Sequence, residues 1–260
     1  MKTKAKLSVF LFAVLIALTS CGTGASSSPE KVPASSSSSA AFRADSSSAL
    51  PQEALSSVFA SFFQQQWPAV EGAADAMALP EGTVFFADMD GDGTPELFLT
   101  YSTGGGKQTG LLAYNVSGET PKELGSAYLA VAPLGSQLEF SLWEEGGQRV
   151  LYTQGELPVG AADPTHYHIE SFLSLSDGRL VLAELNYSET EGRSPVYYRT
   201  PQSSETVSAA EYEALRCALL PGGEPLETID AGEPLDFLED LPAFETAVRE
   251  AWERWTQGHG

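Results

Sequence analysis

Nine consecutive residues carry the one arrangement in this chain that points to a definite chemistry. Asp88-Met89-Asp90-Gly91-Asp92-Gly93-Thr94-Pro95-Glu96 has the form D-x-D-x-D-G-x-x-E. A hard cation such as Ca²⁺ takes about six to eight oxygen ligands at roughly 2.3–2.6 Å. Carboxylates at alternate positions of a tightly curled loop can all turn inward toward one ion. Gly93 supplies the sharp turn that a side chain would obstruct. The Thr94 carbonyl can add a backbone oxygen, and Glu96 can close the ring. Four carboxylates this close repel one another unless a cation sits among them. Calcium suits this donor set better than Mg²⁺, which keeps its waters and rarely takes an all-protein cage. The metal-free alternative is an acidic Asp-Gly hairpin turn.

The first six positions of the loop match an EF-hand loop, but the twelfth is Leu99, where an EF-hand places its bidentate Glu. The flanks, Thr83–Ala87 and Leu97–Tyr101, read as strands and not helices. The segment therefore more closely resembles the nine-residue calcium loop of integrin α-subunit and VCBS/FG-GAP-type repeats, in which the ion sits in a β-hairpin. That resemblance implies side-chain ligation by Asp88, Asp90, Asp92 and Glu96 and a carbonyl from Thr94, with Glu in place of the usual Asp at the ninth position. The same stretch also looks like a segment of small lipoproteins of Gram-positive bacteria. The full motif occurs once, so a propeller, which needs about four or more blades, does not follow.

Other constellations are weaker. His166 and His168 share a strand face, with Asp163 nearby, but catalytic zinc needs three protein ligands and the remaining histidine is His259. Gly104-Gly105-Gly106-Lys107 lacks the spacing of a phosphate loop. Cys217 lies among Leu215, Leu219 and Leu220 and reads as a buried, inert thiol. Glu144 and Glu145 are imaginable as a glycosidase pair, but 35 acidic residues leave the sequence no means of selecting one. Trp143, Tyr167, Tyr187, Tyr197 and Tyr198 fall on expected strands, where packing is the commoner role and a sugar platform the rarer one.

The charge narrows the partners. Fourteen Lys and Arg face 35 Asp and Glu, a net −21 over 260 residues. Three of the lysines lie in the first six residues. Such a chain offers no basic face for nucleic acid and no polybasic membrane patch. Met1–Lys6 is basic, Leu7–Leu18 is almost unbroken apolar sequence, and Leu18-Thr19-Ser20-Cys21 follows. The apolar stretch is shorter than the roughly 20 residues of a spanning helix and has the order of a secretory signal. Its end resembles the bacterial lipobox, which implies cleavage after residue 20 and a diacylglyceryl group on Cys21. Residues 21–49 then form a tether, since 11 of the 28 residues after Cys21 are Ser and few are apolar. The expected site is the extracytoplasmic face of a cell membrane, held there by the lipid on Cys21.

The elements that must position the loop lie within 50–257, expected to be one globular domain. The class is α+β: a mostly antiparallel hairpin meander with an N-terminal helix and two C-terminal helices. Leu55, Val58, Phe59, Phe62 and Phe63 give an apolar face to a helix over Pro51–Trp67. Strands are expected at Thr83–Ala87, Glu96–Tyr101, Gly110–Asn115, Ser126–Ala132, Gln137–Trp143, Arg149–Gln154, His166–Leu175, Arg179–Tyr187 and Val196–Tyr198. Turns such as Glu145-Gly146-Gly147 and Asp177-Gly178 are too short for crossover helices. Ser208-Ala209-Ala210-Glu211 is a capping box opening one C-terminal helix, and Pro242–Thr256 forms the other. Glu224 to Asp240 reads as an acidic connector.

These features favour a non-enzymatic, lipid-anchored surface module with a structural calcium hairpin, which binds a surface glycan or a protein. The alternative is a secreted hydrolase of cell-wall or other polysaccharide with unassigned carboxylates. A two-lobed solute-capture lipoprotein is not supported, because strand–helix alternation is absent from the pattern.

Overall fold

Two consecutive runs, Val84-Phe85-Phe86-Ala87 and Leu97-Phe98-Leu99, are apolar at every position, and a strand can bury both of its faces only between two layers. The computed structural model describes residues 52–61, 81–103, 108–117, 120–129, 139–157, 164–201, 203–231, 235–236 and 241–259. All belong to one unit, Ala41–Gly260. The expected signal segment, Cys21, the tether and Gly104–Lys107 lie outside these residues, as does the second half of the expected first helix.

The helices are α1 (Gln52–Ser61), α2 (Ala209–Leu219) and α3 (Leu241–His259). The strands are β1 (Glu81–Gly82), β2 (Val84–Ala87), β3 (Glu96–Thr103), β4 (Gln108–Asn115), β5 (Lys122–Leu129), β6 (Phe140–Glu145), β7 (Gln148–Leu157), β8 (Thr165–Ser176), β9 (Arg179–Thr190), β10 (Val196–Tyr198), β11 (Thr206–Val207), β12 (Glu227–Ile229) and β13 (Leu235–Asp236). One sheet has the order β2-β3-β4-β5, a second β11-β10-β9-β8-β7-β6-β12, and β1 pairs with β13. Among the described residues every pairing is antiparallel, as the short turns require of the hairpins. The α+β class expected from the sequence is the class observed.

Three apolar clusters stack four layers. Val84, Phe86, Leu97 and Leu99 face α1 and α3, meeting Val58, Phe244 and Val248. Phe85 and Phe98 face the second sheet, meeting Phe140, Leu151 and Ile169; the Phe85 ring stacks on Phe98 at 5.0 Å and lies 4.6 Å from Phe140. On the far side of that sheet, Val150, Tyr152, Phe172 and Leu185 meet Tyr212 and Leu220 of α2 and its C-terminal end. Alternation along β8 and β9 sorts these side chains: Ile169 and Leu182 face inward, Phe172 and Leu185 face α2. Gly110 crosses from Tyr101, and the phenol ring occupies the space a Cβ at Gly110 would need.

Local signals translate directly. Ser208 Oγ accepts the Glu211 N–H, and Glu211 Oε2 accepts the Ser208 N–H, closing the expected capping box. Asp177 and Gly178 both have positive φ, the two-residue turn that joins twisted strands. Several boundaries move. The strand expected at Ser126–Ala132 begins at Lys122, and that expected at Gln137–Trp143 runs from Phe140 to Glu145. The connector after Glu224 contributes β12 and β13, short strands that exist because β6 and β1 offer them an edge. Cys217 is exposed, contrary to the buried thiol expected. It sits five residues beyond Tyr212, about 140° around the helix, on the side away from the sheet. Among the described residues no helix is long and apolar enough to cross a membrane.

Candidate metal centre

Strands β2 and β3 pair up to Ala87 and Glu96, and the eight residues between them have to turn the chain back within a narrow space. The loop does so by folding its own carboxylates onto its own backbone. Asp88 Oδ1 accepts the Gly91 N–H at 2.8 Å, and Oδ2 accepts the Gly93 N–H at 3.0 Å. Asp90 Oδ1 accepts Asp92 N–H at 3.1 Å, and Asp92 Oδ1 accepts Thr94 N–H at 2.7 Å. Glu96 Oε2 accepts the Met89 N–H across the loop at 2.9 Å. Gly91 and Gly93 take φ of 78° and 87°, the left-handed region where a side chain is strained.

This curl gathers three of the expected ligands. One carboxylate oxygen from each of Asp88, Asp90 and Glu96 lies within 4.8 Å of the others, a group that could hold a metal ion. Glu96 is 1% exposed, whereas Asp90 opens to solvent. Asp92 stands outside the group, engaged with Thr94, and Thr94 is half-buried beside it. Such a gathering has a free-energy cost without a cation. Burial, reinforced by the charges of Asp90, Asp88 and Asp92, pushes the Glu96 carboxyl up to about 7, against the pull of the Met89 N–H. Burial likewise raises Asp90, with Asp92 and Asp88 adding to it.

A pH dependence follows. The Glu96 carboxyl titrates near 4.5 in the unfolded chain and near 7 in the metal-free fold. Between those values the native state holds the extra proton, so this group's contribution to stability is full below about pH 4.5 and is lost as pH rises to about 7. At about 1.4 kcal/mol per unit the loss for this group is on the order of 3 kcal/mol. Chemical denaturation in chelator across this range should show the decline. Glu96→Gln should flatten it, and an unchanged slope in that variant would contradict the assignment.

One partner of the loop was invisible in the sequence. Arg149 on β7, 61 residues away, donates from Nη1 to the Asp88 backbone oxygen at 2.7 Å. The same nitrogen pairs with Asp88 Oδ2, and Nε pairs with Glu144, each at 2.8 Å. Arg149 thereby fastens the loop of the first sheet to the β6–β7 hairpin of the second. Glu144, which the sequence offered beside Glu145, is held in this ion pair.

The second charged cluster lies on the α2 side. Glu170, 5% exposed on β8, accepts the Tyr152 hydroxyl at 2.7 Å, the Tyr212 hydroxyl at 2.6 Å and Arg216 Nε at 2.8 Å. Burial, with the neighbouring carboxylate, holds both phenols far above their ordinary range, so they remain donors. Little in the sequence signals this cluster, since Glu170 is one polar residue in a strand that also carries Thr165, His166, His168 and three serines. The two strand histidines are not joined. His166 is exposed, 3.9 Å from Glu156; His168 stacks on Tyr187 with centroids 4.6 Å apart. Among the described residues neither enters a group of three possible metal ligands, and Asp163 lies outside them.

Compared with known proteins, the chain matches no family model, no curated sequence and no solved structure.

Proposed function

We propose that this chain is a lipid-anchored surface module whose first hairpin is ordered by calcium. The carrying observation is the convergence of Asp88, Asp90 and Glu96 on one point in a loop whose backbone is already curled. Asp92 and the Thr94 carbonyl would complete the shell. The resemblance to FG-GAP-type loops and the number of oxygens favour Ca²⁺ over Mg²⁺. The ion's role is structural: it neutralises the carboxylates and so stiffens the β2–β3 turn. The lipobox-like Leu18–Cys21 supports attachment through Cys21 on the extracytoplasmic side, where calcium is abundant. The module's task is then recognition of a surface glycan or protein. No observation favours the polysaccharide hydrolase; the most buried carboxylate of the outer face, Glu170, is saturated by Tyr152, Tyr212 and Arg216.

The test is a melting curve of the protein in chelator, in millimolar calcium and in magnesium. At a hundredfold excess over Kd, binding to the native state contributes about 2.7 kcal/mol. For a chain of this size that is a rise of roughly 5–10 °C. Asp90→Ala should melt like the wild type in chelator and gain nothing from calcium. An equal response to magnesium, or none to either ion, would remove calcium from the account.

A further inference from the structure

Arg149 brings a fixed positive charge to the loop that gathers Asp88, Asp90 and Glu96. Its Nη1 lies 2.8 Å from Asp88 Oδ2 and 2.7 Å from the Asp88 backbone oxygen. The guanidinium also lies against Gly91, where a Cβ would stand 3.5 Å from Nε and Cζ. Only 17% of the side chain is exposed, so the group is seated in the fold and does not trail across its surface.

The carboxylate it holds is nearly used up. An ionised carboxylate offers about four lone-pair sites. Asp88 gives one to the Gly91 N–H, one to the Gly93 N–H and one to Arg149. Oδ2 is the contested atom, since it takes both Gly93 and Arg149. An ion at the point where Asp88, Asp90 and Glu96 converge would therefore meet Arg149 at one of its own ligands. Two cations on one carboxylate repel, and more strongly where water is partly excluded.

The far side of Arg149 is prepared for a change of partner. Glu144 Oε2 already accepts from its Nε at 2.8 Å. Glu227 of β12 aligns with Leu142, two residues from Glu144, so alternation puts all three on one face of the sheet. Burial raises the Glu227 carboxyl, His259 and Arg149 lower it, and Asp88 raises it, so Glu227 stands in the field of both members of the pair. Its own close partner is His259, at 3.4 Å. An Arg149 released by Asp88 keeps carboxylates beside it.

We propose that Arg149 is a tethered competitor for the ion site: it neutralises Asp88 in the ion-free protein, and a divalent cation binds by displacing its charge. This rests on the calcium reading of the loop and adds how that site is regulated. Na⁺ and K⁺ carry no more charge than the guanidinium and lack its hydrogen bonds, so they do not displace it. Coupling is reciprocal: an ion in the loop loosens the clasp between the first hairpin and the second sheet by the factor that the clasp weakens the ion. A merely supportive ion pair has the opposite signature, because its removal would loosen the loop and weaken binding.

The experiment is calorimetric titration of calcium into the full chain and into Arg149→Met, at one ionic strength. Met keeps much of the side chain's length and removes its charge. The variant should bind calcium about tenfold tighter or more, the scale of one repelling charge at close range. In chelator it should melt below the wild type, because Asp88 has lost its counter-charge. Arg149→Lys keeps the charge, so its affinity should lie nearer the wild type than that of Met. Arg149→Gln, neutral but still able to donate to the Asp88 carbonyl, repeats the test if the Met variant does not fold. Calcium bound equally or more weakly by a folded neutral variant overturns the inference and leaves the ion site standing. Calcium bound by neither wild type nor variants removes the ion site, and this inference with it.

Discussion

Glu170→Ala should destabilise the protein by about 3 kcal/mol, seen as a lower denaturation midpoint with an unchanged slope. Breaking a buried ion pair by deleting one partner typically costs about 3–5 kcal/mol. Arg216 keeps 33% of its side chain in water and can rehydrate, which places the loss at the lower end of that range. The rest comes from Tyr152 and Tyr212, whose hydroxyls lose their shared acceptor inside the α2 layer. Glu170→Gln keeps an acceptor and loses the charge, so it should fall between wild type and Ala. Tyr212→Phe removes one donor and should cost about 1 kcal/mol. A Glu170→Ala protein as stable as the wild type would show that α2 is held by apolar packing alone.

Gly110→Ala is the second large effect, and its sign is the reverse of the usual one. Replacing Gly by Ala in a strand ordinarily helps, because it restricts the unfolded chain. Here the Tyr101 ring lies where the new methyl group must go. Tyr101 is 3% exposed within the α1–α3 core and has no room to withdraw. Overpacking of this kind costs about 1–3 kcal/mol, and more when backbone must move, so about 3 kcal/mol or greater is expected. The diagnostic measurement is a double mutant. Gly110→Ala with Tyr101→Val should be more stable than Gly110→Ala alone, although Tyr101→Val by itself destabilises. Simple additivity of the two losses would rule out the ring as the cause.

What the sequence made legible is what neighbouring residues decide. Ser208 and Glu211 close a capping box within a single turn of helix, and Asp177-Gly178 makes a hairpin without outside help. The alternate spacing of Asp88 and Asp90 with Glu96 beyond them marked the loop, because its curl is made by bonds spanning only two to seven residues. Distance in the chain hid the rest. Arg149 carries no local sign of facing Asp88, and Glu170 gathers partners 18, 42 and 46 residues away. Strands of two or three residues, such as β12, have no period to read; the edge they join creates them. Cys217 misled because its leucine neighbours suggested burial, while only one side of α2 meets the sheet.

The placement of α3 bears on time as well as on packing. The first sheet is built from residues 84–129, yet its outer face is closed by the last helix of the chain. Trp252 meets Phe86 edge-on at 5.2 Å, and Arg254 donates to the Val84 carbonyl across 170 residues. The meander from β6 to β11 can assemble hairpin by hairpin as it emerges, since each strand pairs with its predecessor. Strands β2 to β5 pair in succession too, but the outer face of their sheet also needs α3. As the chain is made, Phe86, Leu97 and Leu99 have only α1 to cover them until residues 241–259 arrive. Until then the sheet made first is the less finished of the two, and part of its apolar face stays open to water.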